Sequence, residues 1–142
     1  MAATFWLGWV TPPSSDGGAD FVGRLDIGSG FSRVKQVVFG QAKCERIEGT
    51  TSGKDVARIV ARLRRGWVGA YVTLGAFSEA TQREVIDDEY PILLVPGRRV
   101  AQEIDRAARE AGLGGLKACL EAIDATYDKL VINRRPEEIL RE

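Results

Sequence analysis

One acid and a short strand-borne motif are the residues in this chain best suited to do chemistry. Asp20 stands in Asp16-Gly17-Gly18-Ala19-Asp20, and Gln41-Ala42-Lys43 closes an apolar run that begins at Val37. Side chains two apart on a strand share a face, so Gln41 and Lys43 project together and Ala42 points away. The Gln41 amide and the Ala42 backbone each offer a carbonyl oxygen to a hard cation, and Asp20 on a neighbouring strand supplies the anionic ligand. Mg²⁺ suits such a set, because it takes few protein oxygens and keeps several waters. A lysine beside the cation can orient or deprotonate an attacking water and balance charge on a phosphate. That is phosphodiester chemistry. A lysine near the end of a buried strand is costly unless it is paired or functional, and Asp20 is its candidate partner. Asp26 is a candidate extra ligand. It lies six residues from Asp20, an even interval that puts both on one face of a regular strand. Asp16 is a weaker third candidate. Gly17 and Gly18 allow a sharp turn before the acid, and Gly40 leaves room for a nucleic-acid backbone beside Gln41. The same features also fit a plain turn, a bulge and a solvated strand end.

Composition removes most alternatives. The 142 residues contain no histidine, which excludes Ser-His-Asp and Cys-His catalysis and imidazole-held zinc. Cys44 and Cys119 are far apart and form no Cys-x-x-Cys pair, so a zinc site or a disulfide framework is not expected and a reducing cytoplasm is the plain reading. Twenty basic and 20 acidic residues cancel to a net charge of zero. A stand-alone nucleic-acid binder is usually basic, so either the basic residues cluster or another domain or subunit supplies the affinity. No apolar run is long enough to span a membrane, and no basic residue precedes the apolar N-terminal stretch, as a signal peptide requires.

The elements that must hold these residues follow from periodicity and punctuation. Phe5–Val10 reads as an edge strand or the remnant of an earlier element, Ala19–Ile27 and Val34–Lys43 as an antiparallel pair, and Trp67–Leu74 and Pro91–Val95 as further strands. Ser52 caps a helix running to about Arg65, with Asp55 as the acid of a capping box. Helices are also expected from Ser78 to about Asp88, over Arg98–Ala111, over Leu116–Leu130 and from Pro136. On the helix at 116–130, Leu116, Leu120, Ile123 and Tyr127 fall on one side. Strands alternating with helices predict a single α/β domain, a central mixed β-sheet flanked by helices.

Three segments in order resemble the Mrr-like branch of the PD-(D/E)xK nuclease superfamily: Asp16-Gly17-Gly18-Ala19-Asp20, Gln41-Ala42-Lys43, and the strand-to-helix segment Gly69–Ala80, followed by Pro91–Gly97. The 20 residues between Asp20 and Gln41 are similar to the spacing in MspJI-type modification-dependent restriction endonucleases. The resemblance covers Asp16 to about Ile104. It implies a restriction-endonuclease-like fold and a Mg²⁺-dependent DNA endonuclease (Mn²⁺ substituting), with Asp20, Gln41 and Lys43 catalytic and Asp20, Gln41, Ala42 and Asp26 on the metal. It further implies that residues 1–142 are one catalytic domain, with its core at about 16–111 and C-terminal helices at 112–142. A separate N-terminal domain would read methylated cytosine, and two copies would act together on double-stranded DNA. Two departures stand out. Little precedes Phe5, where the family core has a helix, and Gln41 replaces the usual acid. An Mrr-like repair or phage-defence effector, or an inactive DNA-binding or assembly module, are the alternative readings.

For DNA contact, Arg58, Arg62 and Arg65 recur at i, i+4 and i+7 of the predicted first helix, and Lys54 lies at its start. Such a stripe suits phosphates and equally suits a solvated face. Ser78, at a helix N-terminus, is a candidate phosphate site or an N-cap only.

Overall fold

The computed structural model describes residues 3–12 and 18–142. Five strands form one mixed sheet: β1 (Ala3–Val10), β2 (Phe21–Ile27), β3 (Val34–Lys43), β5 (Val68–Thr73) and β7 (Ile92–Val95), in the order β1-β2-β3-β5-β7. The first three pair antiparallel and the last three parallel. Two short strands, β4 (Thr50–Thr51) and β6 (Ala76–Phe77), pair parallel beside the sheet. The helices are α1 (Gly53–Val60), α2 (Glu79–Asp87), α3 (Gly97–Glu110) and α4 (Leu116–Leu130), and a 3₁₀ helix, Pro136–Arg141, closes the chain. The sequence reading of a central mixed sheet with flanking helices therefore holds, and β3 and α4 have the predicted bounds.

β3 is central because four consecutive residues, Val37 to Gly40, are buried, as a strand covered on both faces requires. Phe39, Tyr71 and Ile92 present one sheet face to Val56 and Ile59 of α1 and to Phe77. Trp9, Val22, Val37 and Ile139 form a second cluster that ties the C-terminal 3₁₀ helix to the sheet. At the carboxyl ends of β3 and β5 the chain leaves the core, and loop packs on loop. A Cβ at Gly75 would lie 2.4 Å from the Gly49 carbonyl oxygen, and one at Gly97 would lie 2.0 Å from that of Leu74. Only glycine permits such backbone approach, and the Gly97 N–H donates to the Gly75 carbonyl at 2.9 Å.

α1 is shorter than predicted. It ends at Val60, and the chain turns through Ala61 and Arg62. Leu63 still packs on the core, which is why its helical spacing from Val56 misled: the burial continues after the helix stops. Asp55 makes only half of the expected capping box. Its N–H donates to the Ser52 hydroxyl at 3.4 Å, but its carboxylate turns to another partner.

Candidate active site

The antiparallel register of β2 on β3 ends with Phe21 paired to Gly40, and Asp20 stands in the bend just before β2, at that end of the pairing. The backbone of Asp20 is fixed on both sides. Its N–H donates to the Gly40 carbonyl at 2.7 Å, and its carbonyl accepts from the Thr11 N–H at 2.9 Å. The carboxylate reaches across the strand end, where Oδ2 accepts from the Ala42 N–H at 2.8 Å. In an extended strand the N–H and C=O of one residue point to the same side, so the Ala42 carbonyl is also directed toward Asp20. Oδ1 of Asp20 makes no hydrogen bond among the described residues. A cleft of about 420 Å³ opens beside it, lined by Val10, Thr11, Asp20, Phe21, Ala42 and Tyr127.

Gln41 and Lys43 share the sheet face of Phe39, the face α1 covers, and in the parallel register they stand opposite Tyr71 and Thr73. Burial pushes the Tyr71 phenol above its ordinary pKa, so it is neutral here. Lys43 does not pair with Asp20. Its Nζ lies 2.8 Å from Oδ2 of Asp55 and 3.8 Å from Oε1 of Glu45. Sequence reasoning missed both acids. Asp55 carried a visible signal, a carboxylate in the first turn of a helix that follows the motif strand, but it was read only as a cap. Glu45 accepts from the buried Thr51 and Thr73 hydroxyls, the latter at 3.3 Å, which fixes the loop beyond the motif.

The hydrogen bond to Asp55 raises the Lys43 pKa against desolvation, and Asp55 is lowered by the same bond. Lys43 is therefore a firmly charged ammonium. The sequence reading left Lys43 to orient or to deprotonate an attacking water; the structure places its ammonium against Asp55, with Glu45 next nearest.

Asp26 is not at the site. Six residues along an extended strand separate it from Asp20 by about 20 Å. Its buried carboxylate is bound by Arg24 Nε at 2.7 Å and by Arg33. Desolvation alone would raise its pKa, but the hydrogen bonds and charges of the two guanidiniums outweigh that and hold it low. Arg24 also donates to the backbone oxygens of Ile139 and Glu142, so Asp26 holds the guanidinium that ties β2 to the last residues described. An even interval put the two acids on one face; it did not put them at one end. Asp16 and Gly17 lie outside the described residues.

Gly40 leaves no room for DNA. A Cβ there would lie 2.1 Å from Cζ of Phe21; the aromatic ring of the residue after Asp20 fills the space. Of the predicted basic stripe, only Lys54 and Arg58 lie within α1, both exposed. Arg62 and Arg65 follow its end and share no helix face with them. Arg62 nevertheless reaches the site. Gly18 has φ +75°, and a Cβ on it would lie 1.4 Å from Nη1 of Arg62, so this guanidinium rests on the loop two residues ahead of Asp20. Ser78 caps α2, accepting from the Thr81 N–H at 3.1 Å.

The donor set suits a hard cation of modest affinity: one carboxylate, the Ala42 carbonyl beside it and the half-buried Gln41 amide, with no cluster of three acidic or cysteine ligands among the described residues. Mg²⁺ accepts such a sparse set because water fills its other positions.

An acid and a Gln-x-Lys strand end on a mixed sheet flanked by helices define a restriction-endonuclease-like catalytic domain. The restriction endonuclease family model of the Mrr catalytic domain matches residues 6–104, and the chain belongs to that family. Among solved structures, it is similar to MspJI restriction endonuclease in complex with a 27-mer oligonucleotide, with a TM-score of 0.89 and 44% identity over 99% of this chain and 31% of that one. It is also similar to the DNA modification-dependent restriction endonuclease AspBHI, with a TM-score of 0.65 and 26% identity over 85% of this chain and 30% of that one. The chain thus spans about a third of either relative's length. No curated protein sequence matches it. Among the described residues no helix is long and apolar enough to cross a membrane.

Proposed function

We propose that this domain hydrolyses phosphodiester bonds of double-stranded DNA with Mg²⁺, as the cleavage part of a modification-dependent restriction enzyme whose recognition domain is separate. The observation that carries the reading is the Asp20 carboxylate held against Ala42, with Gln41 and Lys43 projecting from the same strand end. Asp20, the Ala42 carbonyl and Gln41 would hold the cation. When bound, a divalent ion lowers the pKa of its water and polarises a phosphoryl oxygen. Lys43, charged and held by Asp55, orients the attacking water and offsets the negative charge that grows on the phosphorane-like transition state. Arg62, Arg58 and Lys54 supply phosphate contacts along the approach. A neutral domain with few such cations gains its DNA affinity from a recognition domain. Cleavage of both strands needs two active sites, hence two copies. The free thiols Cys44 and Cys119 suit a reducing cytoplasm.

The test is cleavage of supercoiled and linear plasmid with Mg²⁺ or Mn²⁺ against EDTA, comparing the chain with Lys43→Ala and Asp20→Ala. The expected result is metal-dependent cutting lost in both variants. Cutting that survives either substitution, or metal-independent cutting, overturns the assignment. DNA binding without any cutting, also when the chain is joined to a recognition domain, identifies a binding module instead.

A further inference from the structure

We infer that Arg62 and Arg135, with the Asn133 amide, form a phosphate site that holds the DNA strand on the Asp20 flank of the scissile bond. The inference rests on the phosphodiesterase reading above and adds where the substrate strand runs. A cavity of about 340 Å³ lies beside the turn that delivers Asp20, lined by Thr11, Ala19, Phe39 and the segment from Asn133 to Glu138. Thr11 also lines the cleft beside Asp20. Its N–H and hydroxyl donate to the carbonyls of Asp20 and Ala19, so the two spaces adjoin. The backbone that brings Asn133 and Arg135 there is fixed. Val131 bridges Val10, the Ile132 N–H donates to the Val10 carbonyl at 2.9 Å, and Pro136 restricts the conformation of Arg135 before it. The Arg64–Glu137 ion pair, at 3.3 Å, draws the chain that follows α1 against the 3₁₀ helix. Arg62, in the same turn, rests on Gly18. Two cations from distant parts of the chain thus converge on Gly18-Ala19, immediately before Asp20.

Charge pairing decides which arginines are available. Arg134 is occupied: its guanidinium stacks 4.8 Å from the centre of the Trp9 ring and pairs with Glu138 at 3.8 Å and Glu142 at 2.6 Å. Glu138, the acid of the lining, accepts from the Arg135 N–H at 2.9 Å and is satisfied within its own segment. Arg62 and Arg135 are exposed and pair with no carboxylate among the described residues. On α3, by contrast, Arg99, Arg106 and Arg109 are each paired within their own helix at 2.6–3.0 Å. A chain of zero net charge attracts DNA only through local fields, and these two cations make one beside the candidate catalytic acid. Duplex DNA carries a phosphate about every 3.4 Å along each strand. A strand with its scissile phosphate at Asp20 therefore brings a neighbouring phosphate to the adjoining cavity. Guanidinium forks grip phosphate bidentately, and the exposed Asn133 amide adds N–H donors. The sequence stripe joined Arg62 to Arg58 and Arg65; the fold sets it with Arg135 instead.

Fluorescence anisotropy of a short labelled duplex, titrated with the 142-residue chain in EDTA over a series of KCl concentrations, tests it. The slope of log K against log salt should fall by about 1 in Arg62→Ala and in Arg135→Ala, and by about 2 in the double variant. Arg106→Ala removes the same charge from a paired site and should leave the slope unchanged. Arg135→Lys keeps the charge and loses the fork, so it should keep the slope and bind more weakly. In Mg²⁺ cleavage, Arg135→Ala should raise KM by about tenfold, the loss of one hydrogen bond to a charged group, with kcat unchanged. Urea midpoints should not move, since both side chains are exposed. An unchanged slope in Arg62→Ala or Arg135→Ala, an equal fall in Arg106→Ala, or a chain that binds no duplex at low salt overturns the site. Metal-dependent cutting by the wild type would still uphold the hydrolytic reading in the first two cases. The expected slopes in a chain that never cuts uphold the phosphate site and overturn that reading.

Discussion

Replacing Gly40 by alanine tests whether the Phe21 ring, wedged over that glycine, sets the position of Asp20. The added Cβ would lie 2.1, 2.2 and 2.4 Å from Cζ, Cε2 and Cε1 of the ring. Carbon atoms rest at about 3.5–4.0 Å, so the ring must retreat by about 1.4 Å or more. Gly40 itself has no positive φ, so backbone strain adds nothing. Overpacking of this kind costs about 1–3 kcal/mol, and the half-buried ring, which can swing toward solvent, places the cost in the lower half of that range. With a urea slope of about 1–3 kcal/mol per molar, the midpoint falls by about 0.3–2 M. Phe21 adjoins Asp20, whose N–H is bonded to the same Gly40, so cleavage should fall further than stability. The decisive experiment is a double-mutant cycle by urea denaturation. Phe21→Ala alone destabilises by loss of ring burial, but Gly40→Ala on that background should be neutral or mildly stabilising, because alanine restricts the unfolded chain more than glycine does. A coupling of about 1–2 kcal/mol is expected for residues in direct contact. If Gly40→Ala is as stable as the wild type with Phe21 present, the wedge does not exist and the reasoning fails.

Three further outcomes follow from the same geometry. Titration calorimetry with Mn²⁺ should show binding abolished by Asp20→Asn and retained in Asp26→Asn; loss in the second variant alone would move the site to the wrong end of β2. The Lys43–Asp55 pair should add a contribution to stability that is flat across neutral pH and lost at both extremes. Asp55 has a lowered pKa, so its share is complete above the ordinary value of 3.8 and disappears as pH falls through the depressed one. Lys43 has a raised pKa, so its share is complete below 10.5 and disappears as pH climbs past the raised one. The difference in urea midpoint between wild type and Asp55→Asn reports it, and a difference that varies across about pH 5 to 9, a window between those two values, would contradict the pairing. Finally, Arg24→Ala should destabilise more than Arg33→Ala. Arg24 is buried, binds Asp26 and also holds the last carbonyls of the chain, whereas the Arg33 side chain is 44% exposed; equal losses in thermal melts would show that the C-terminal anchor is not in use.

The sequence by itself determined the elements and the ends of the motif. The apolar run from Val37 read as a central, buried strand, alternation put Gln41 and Lys43 on one face, and the absence of histidine narrowed the chemistry to oxygen ligands and a lysine. Those are local properties, set by a period of two along a strand and by residue type. Tertiary structure decided which charges meet. Lys43 pairs with Asp55, twelve residues away on α1, because the chain crosses from β3 back over the sheet face. Asp20 and Asp26 share a face but stand at opposite ends of β2, because register across strands, which no period within one strand contains, fixes which end meets Ala42. The space beside Gly40 was visible as a missing side chain, but its occupant, Phe21, comes from the neighbouring strand. The same limit applies to α4: spacing showed an apolar side, and only the docking of α4 against α3 and β1 left that side facing outward.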